Sequence, residues 1–452
     1  MRAVVASFVI FVAAMAADRC VAQTPANSES LAGFAALLQD HPMAETAGPA
    51  LTLDDVERIA LAANPDIEVA VRRVAIAQAH VPAAGALDDP MVMYRGWGIP
   101  LQQPWNYNAA QNMFSITENL PGRGKRALRT SVAESDVAEA KAELDQARLE
   151  VQVRARKAFN DLLRADDEMQ IHDQHVSIAR QAIEAARIKY TVGQVPQQDI
   201  LKAQVALTRV AEQMIRVDQD ADLARARLNT LLGRDPGAPL RVQGEHPVQN
   251  ALAPIQKLQE LALESRPDLA AAQVAAERSH REQTLAKTAY VPDFTVSAGY
   301  MLMPSGTNMR NDYMLEGTMN LPWLNHRKHD AEIAEATARV TEQDAELAAM
   351  RNAAFGQIEE ALVETQSAQK LALMYQEQLR PQAEATLQSS IIAYQNGKTD
   401  LLDLLDSQMT VIDIDLERLQ AVADFDTHLA DLELATGASL DQLQTPALEV
   451  KP

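Results

Sequence analysis

The chain has 452 residues, a formal net charge of −21, one cysteine and only 4% aromatic residues. That acidity excludes a nucleic-acid partner, because phosphate binding needs a basic surface; it favours cations near any opening instead. Few aromatics beside many Ala, Gln, Glu and Leu residues suit long, thinly packed helices better than one thick core.

Residues 1–22 read as a signal peptide. Met1-Arg2 is a short basic start, and Ala3 to Ala17 is an apolar run too short and wrongly flanked for a membrane helix. Cleavage is expected after Ala22, with Ala16 as the alternative. Asp18-Arg19 is a poor context for lipid attachment at Cys20. No later stretch reaches the roughly 18 apolar residues of a transmembrane helix. Any membrane insertion would therefore have to use β-strands.

Residues 23–50, rich in Ala, Pro, Thr and Ser, read as a loose segment. A first unit then covers 51–240. Thr52 is the candidate N-cap of a helix with acids in its first turn, expected to pass Pro65 and continue to about Val81. Strands are expected at 91–99 and 112–120, and Pro121-Gly122 ends the second. Between Gly124 and Gly193 there is neither Gly nor Pro. A helix to about Tyr190 would run roughly 100 Å, longer than an ordinary domain is wide. Gly193 and Pro196 mark a turn, and a further helix runs from about Gln198 to Leu232.

A second unit over 254–440 repeats that order. It has a helix over 255–288, strands at 293–303 and 312–321 joined by Ser305-Gly306-Thr307-Asn308, a long helix over 326–395 and a last helix over 400–435. Gly356 and Pro381 are the candidate bends in the long helix. The tail, 441–452, reads as loop. Asn64-Pro65-Asp66 returns as Arg266-Pro267-Asp268, Leu120-Pro121 as Leu321-Pro322, and Tyr190-Thr191-Val192-Gly193 as Tyr394-Gln395-Asn396-Gly397. The spacing of about 200 residues marks one long duplication, not a short solenoid repeat.

The strands alternate. Phe294, Val296, Ala298, Tyr300 and Leu302 share one face; Thr295, Ser297, Gly299 and Met301 share the other. Tyr313, Leu315, Met319 and Leu321 alternate with Met314, Glu316, Thr318 and Asn320, and Phe114 and Ile116 with Ser115, Thr117 and Asn119. In the first strand Arg95 blurs the pattern by sharing a face with Met93 and Trp97. A lipid-facing barrel with a wet lumen needs such alternation; a hairpin on a soluble core fits it as well. Four strands cannot close a transmembrane barrel, since the smallest have about eight, so embedded hairpins must be pooled from several chains. Val137, Leu144, Val151, Ala158, Ala165, Ala179 and Ala186 form a heptad lane interrupted by His172, echoed by Val340, Leu347, Ala354, Ala361 and Ala368. Such lanes are seams between paired helices.

This duplicated helix, hairpin, long helix and helix behind a signal peptide resembles the TolC-like family of outer-membrane efflux proteins over about 51–440. Tyr190 to Gly193 followed by Asp199, Leu201 and Ala203, with the echo Tyr394 to Gly397 followed by Asp403 and Asp406, strengthens the likeness. Glu118-Asn119-Leu120-Pro121-Gly122-Arg123-Gly124-Lys125-Arg126 looks like the strand-to-helix junction of the heavy-metal branch, with Arg123 interrupting its Pro-Gly-Lys-Arg run. The resemblance implies a mainly α fold with a small β part. It implies a homotrimer in which a twelve-stranded outer-membrane β-barrel, held in outer-membrane lipid, sits on a periplasmic α-helical barrel. It also implies a periplasmic adaptor (membrane fusion) protein and an inner-membrane pump of the resistance-nodulation-division type as partners. Tyr394, Asp403 and Asp406 would then belong to the periplasmic gate, and Tyr190, Gly193, Gly397 and Lys398 to the adaptor-docking tip. The family's basic gate residue corresponds to Thr399, beside Lys398, so a closing salt bridge is not implied here.

No cofactor and no catalytic site are expected. Gly397-Lys398-Thr399 lacks the glycine of a phosphate loop, since Ile392 stands in its place, and Gly122-Arg123-Gly124 is not a dinucleotide fingerprint. His172 with His175, and His326 with His329, could share a helix side. Without further ligands nearby they are read as solvated tunnel-wall histidines. Met91, Met93, Met301, Met303, Met314 and Met319 cluster in or beside the strands; thioethers can ligate soft metals, but packing or lipid contact is the simpler reading. The chain is read as a passive exit duct, with heavy-metal cations as expected cargo. The alternatives are a multidrug or organic-solute duct and a soluble periplasmic coiled-coil scaffold.

Overall fold

A computed structural model describes residues 50–244, 248, 251–304, 310–438 and 444–445. The expected signal peptide, the Ser305–Asn308 connection and most of the tail lie outside the described residues.

The first helix, α1 (Leu53–Ala63), starts from a capping box: Thr52 Oγ1 accepts from the Asp55 N–H at 3.3 Å, and the Asp55 carboxylate accepts from Thr52 in return. It does not pass Pro65. Proline pushes the residue before it out of helical geometry, and Asn64 is extended (φ −70°, ψ 127°), so a separate helix α2 (Pro65–Gly85) follows. Strands β1 (Met91–Trp97) and β2 (Gln111–Leu120) lead into α3 (Lys125–Thr191), 67 residues without interruption, and then α4 (Gln197–Leu231).

The second half opens with a short strand, β3 (Ala251–Leu252). Helices α5 (Ile255–Ser265) and α6 (Pro267–Lys287) again break before a proline, at Arg266, where one helix over 255–288 was expected. Strands β4 (Phe294–Leu302) and β5 (Asp312–Met319) precede α7 (His326–Met374). A π-helical turn, Tyr375–Leu379, joins α7 to α8 (Arg380–Gln395). Helix α9 (Leu401–Thr436) follows, and β6 (Gln444–Thr445) pairs with β3 where the tail was expected to be loop alone. Gly356 stays inside α7 without a break. Pro381 causes the irregularity: it cannot donate to the carbonyl four residues back, and a wider π turn takes up the mismatch.

Each half has its own small core. Val56, Phe159, Leu162, Val217 and Leu228 pack in the first, and Leu258, Ile358, Leu362, Phe425 and Leu432 in the second. Both halves close the same way. The last helix ends at a glycine in the left-handed region, Gly233 (φ 66°) or Gly437 (φ 67°). The residue before the proline, Asn64 or Arg266, donates to a carbonyl near that helix end, Leu231 O at 3.0 Å or Ala435 O at 2.9 Å. This is the structural use of the repeated Pro-Asp motif. Between the halves, Arg156 on α3 donates to Glu57 on α1 and to Glu433 on α9. Two carboxylates thus share one guanidinium.

Candidate functional site

Two regions carry the functional geometry, the sheet and the turns at the far ends of the long helices. The sheet is antiparallel with order β1-β2-β4-β5, so among the described residues β1 and β5 are open edges. Its register decides the faces. Val92, Ile116, Ala298 and Leu315 form one cross-strand row, and Tyr94, Phe114, Tyr300 and Tyr313 the next. This apolar face is the solvent-exposed one: Val92 is 78% exposed, Tyr313 87% and Leu315 81%. The opposite face is the more covered, with Ser115 and Ser297 buried and Thr117 hydrogen-bonded to Ser297 at 2.8 Å. Water-soluble sheets bury the apolar face; lipid-facing ones display it. Pairing places Arg95 with Met93 and Trp97 on the covered face, so β1 obeys the same rule through Val92 and Tyr94.

The Glu118–Arg126 junction ties this sheet to the helices. Gly122 N and Lys125 Nζ both donate to Asp293 Oδ1, at 2.6 and 2.8 Å, and Arg126 Nε donates to Gly85 O at 2.8 Å. Lys125 is buried. A Cβ at Gly122 would lie 2.6 Å from Pro292 O, so the close approach of the two chain segments requires glycine.

At the other end, α3 and α8 stop in the same motif. Gly193 N donates to Tyr190 O at 3.0 Å and Gln194 N to Lys189 O at 2.9 Å; Gly397 N donates to Tyr394 O at 3.1 Å and Lys398 N to Ala393 O at 2.9 Å. This pairing with a left-handed glycine is the Schellman cap, and φ is +74° at Gly193 and +67° at Gly397. The turns differ in how the next helix starts. Asp400 caps α9 by accepting from Asp403 N at 2.9 Å, whereas Pro196 starts α4 without a side-chain cap. The two halves touch here: Lys189 Nζ sits 3.4 Å from the centre of the Tyr394 ring, a cation–π contact. The Tyr394 hydroxyl and Thr399 Oγ1 are buried without a hydrogen-bond partner. Tyr190 and Lys398 are exposed.

Asp403 and Asp406 line a cavity of about 440 Å³ between α3, α4 and α9, opposite His175 and Lys202. They begin a lane of exposed acids, Asp403, Asp406, Asp413 and Glu417, along α9. Partial desolvation against the neighbouring helices, followed by repulsion from Glu417 and Asp406, pushes the Asp413 carboxyl up. Sequence reasoning singled out Asp403 and Asp406 but missed that Lys202 and His175 face them. The histidine reading needs correction. His172 is 1% and His175 7% exposed, so neither is a solvated wall residue. His172 occupies the heptad lane between the buried members Ala165 and Ala179; that position was the available signal. Burial and the neighbouring His172 push the His175 pKa down, and both Nδ1 atoms lack partners. In the other pair His326 is exposed, while His329 Nδ1 lies 3.0 Å from Glu332. Among the described residues no group of three or more His, Cys, Asp or Glu side chains could hold a metal ion.

Comparison with known proteins accords with this geometry. The profile of the outer membrane efflux protein family matches residues 57–234 and 258–438, one match per half. The chain is 22% identical over 369 residues to the cobalt-zinc-cadmium resistance protein CzcC of Cupriavidus metallidurans, covering 81% of this chain and 85% of that one. It is 26% identical over 404 residues to the pyoverdine export outer membrane protein OpmQ of Pseudomonas aeruginosa, covering 82% and 83%. The outer membrane protein VceC of Vibrio cholerae has the same fold, with a TM-score of 0.71 at 19% identity over 86% of this chain and 96% of that one. The chain therefore belongs to the outer membrane efflux protein family: it is an outer-membrane channel protein, not an enzyme.

Proposed function

We propose that the protein is the exit duct of a tripartite efflux system, working as a homotrimer with a periplasmic adaptor and an inner-membrane pump of the resistance-nodulation-division type. The observation that carries assembly from several copies is a lipid-facing sheet of four strands with two open edges, and the number three is taken from the family likeness. An unpaired edge is not tolerated in lipid, and three copies closing edge to edge give twelve strands. The Gly193 and Gly397 turns form the adaptor-docking tip, with Tyr190 and Lys398 at its surface. Tyr394, Asp403 and Asp406 form the gate. The chain conducts passively and the pump supplies energy. A detergent-corrected mass equal to one chain would sink the assembly.

For cargo we propose heavy-metal cations. The support is the acidic lane on α9, which raises local cation concentration, together with the likeness to CzcC. A second reading, an organic-solute duct, draws on the likeness to OpmQ. Deleting the gene and comparing growth on copper, silver, zinc, cobalt and cadmium salts with growth on dyes and antibiotics separates them. Metal hypersensitivity is expected; sensitivity to dyes and antibiotics alone would replace the metal reading. In planar bilayers the channel should prefer cations and be blocked by multivalent ones. Asp403→Ala with Asp406→Ala should abolish that block, and an unchanged block would remove the two acids from the gate.

A further inference from the structure

The covered face of the sheet holds a group of thioethers that the duct reading does not use. Register puts Met113 on β2 directly opposite Met301 on β4. Met93 on β1 pairs with Ser115, and Met314 on β5 pairs with Gly299. Met93 is thus diagonal to Met113, and Met314 diagonal to Met301. Cβ atoms of opposite residues lie about 5 Å apart and diagonal ones roughly 7 Å, within reach of long side chains. The four methionines surround a floor of two small residues, Ser115 and Gly299, which pair with each other. Met113 is 1% exposed and Ser115 3%; Met93, Met301 and Met314 are half-buried. Ser115 Oγ is buried with no hydrogen-bond partner, an uncompensated polar atom in the middle of the group.

We propose that the cross-strand pair Met113 and Met301, with Met93, Met314 and Ser115 Oγ around it, forms a luminal site for a soft monovalent cation, Cu(I) or Ag(I), inside the barrel. Neutral thioethers favour soft ions over zinc-like borderline ones and over hard ones. They also bind weakly enough to release, as a conduction path requires. The neighbouring charges nearly cancel. In the row of Met113 and Met301 the ends are Arg95 and Asp312, and Glu316 lies beyond on the same face. Arg95 also donates to Met93 Sδ at 3.6 Å, so the central pair, Met113 and Met301, is the better test. The proposal rests on the covered face being the lumen, as it must be if the exposed apolar face meets lipid.

The test titrates the detergent-purified full chain with silver(I), a redox-stable probe, using equilibrium dialysis with elemental analysis. X-ray absorption then reads the ligands. The wild type should show saturable uptake with sulfur neighbours. Met113→Leu/Met301→Leu, nearly volume-conserving, should lose that increment at unchanged oligomer mass and circular dichroism. Met319→Leu, on the lipid face, should not. Where the double variant fails to assemble, Met301→Leu alone serves. Uptake in the variant equal to wild type, or silver without sulfur neighbours, overturns the site. The cargo reading fails separately. Methionine-dependent uptake in a protein whose deletion leaves metal tolerance unchanged keeps the site and removes the cargo. Metal hypersensitivity without such uptake removes the site and keeps the duct.

Discussion

The two halves of the chain reach the same architecture by different local means. The first long helix, α3, runs 67 residues with an intact hydrogen-bond ladder, whereas the second is split by the π turn Tyr375–Leu379 just before Pro381. Arg380 beside that turn bonds Asp415 on α9 at 2.7 Å and Glu384 at 3.0 Å. The comparison shows that length and a buried small-residue lane define the long helix, and that a local defect is tolerated where side chains brace it. The closures teach the same lesson. Asn64 and Arg266 do one job at equivalent places, with an amide in one half and a guanidinium in the other. Gly233 and Gly437 are both pressed against the helix break they serve: an added Cβ would lie 2.9 Å from Ala63 O or 2.7 Å from Arg266 Cα.

The largest effect is expected where the halves are joined. Arg156→Met leaves Glu57 and Glu433 facing each other in a buried site, and should cost about 3–5 kcal/mol. Thermal and denaturant unfolding of the solubilised protein measures it. A loss under about 1 kcal/mol, the value of a surface ion pair, would mean that the halves are held together by other contacts.

Titration sharpens the contrast between this joint and the cavity beside Asp403 and Asp406, which His175 lines. Burial, with Glu57 opposing the help of Arg156, pushes Glu433 from 4.5 up to about 7. A raised carboxyl contributes stability that is complete below the unfolded value and lost as pH rises through about 7. His175 has the opposite sign. Its lowered pKa contributes stability above the unfolded value near 6.5, lost as pH falls. Glu433→Gln should flatten the decline toward neutral pH, and His175→Gln the decline toward acid. Melting profiles across that range with unchanged slopes would contradict both assignments.

Next come the closures. Asn64→Ala should cost about 1–2 kcal/mol, as loss of a cap does. Arg266→Ala should cost more, about 1.5–3 kcal/mol, because its bonds are charge-assisted and include Asp268 and Gln357 besides Ala435 O. Equal losses would indicate that the two halves use the position identically. The smallest effect is expected at the tip. Lys189→Gln removes the cation–π contact with Tyr394 and should cost only about 0.5–1 kcal/mol, with a measurable rise in single-channel conductance if that contact holds the two tip helices together. Conductance identical to wild type would separate the contact from gating.

Much of this was legible in the residues. The absence of Gly and Pro between Gly124 and Gly193 marks α3, and the seven-residue lane marks its buried seam at Val151, Ala158, Ala165, Ala179 and Ala186. Alternation marks the exposed apolar face of β2, β4 and β5. These properties depend on a residue and its near neighbours in sequence: hydrogen-bond donors, backbone freedom and the period of side-chain direction. Tertiary structure alone decided the rest. Pairing with β2 fixed which face of β1 meets lipid and brought the methionines of four strands to one side. Packing of α3 against its neighbours desolvated His172 and His175, and folding of the halves onto each other set Glu57 and Glu433 around Arg156. Register, burial and charge sharing depend on partners far away in the chain, and no local period carries them.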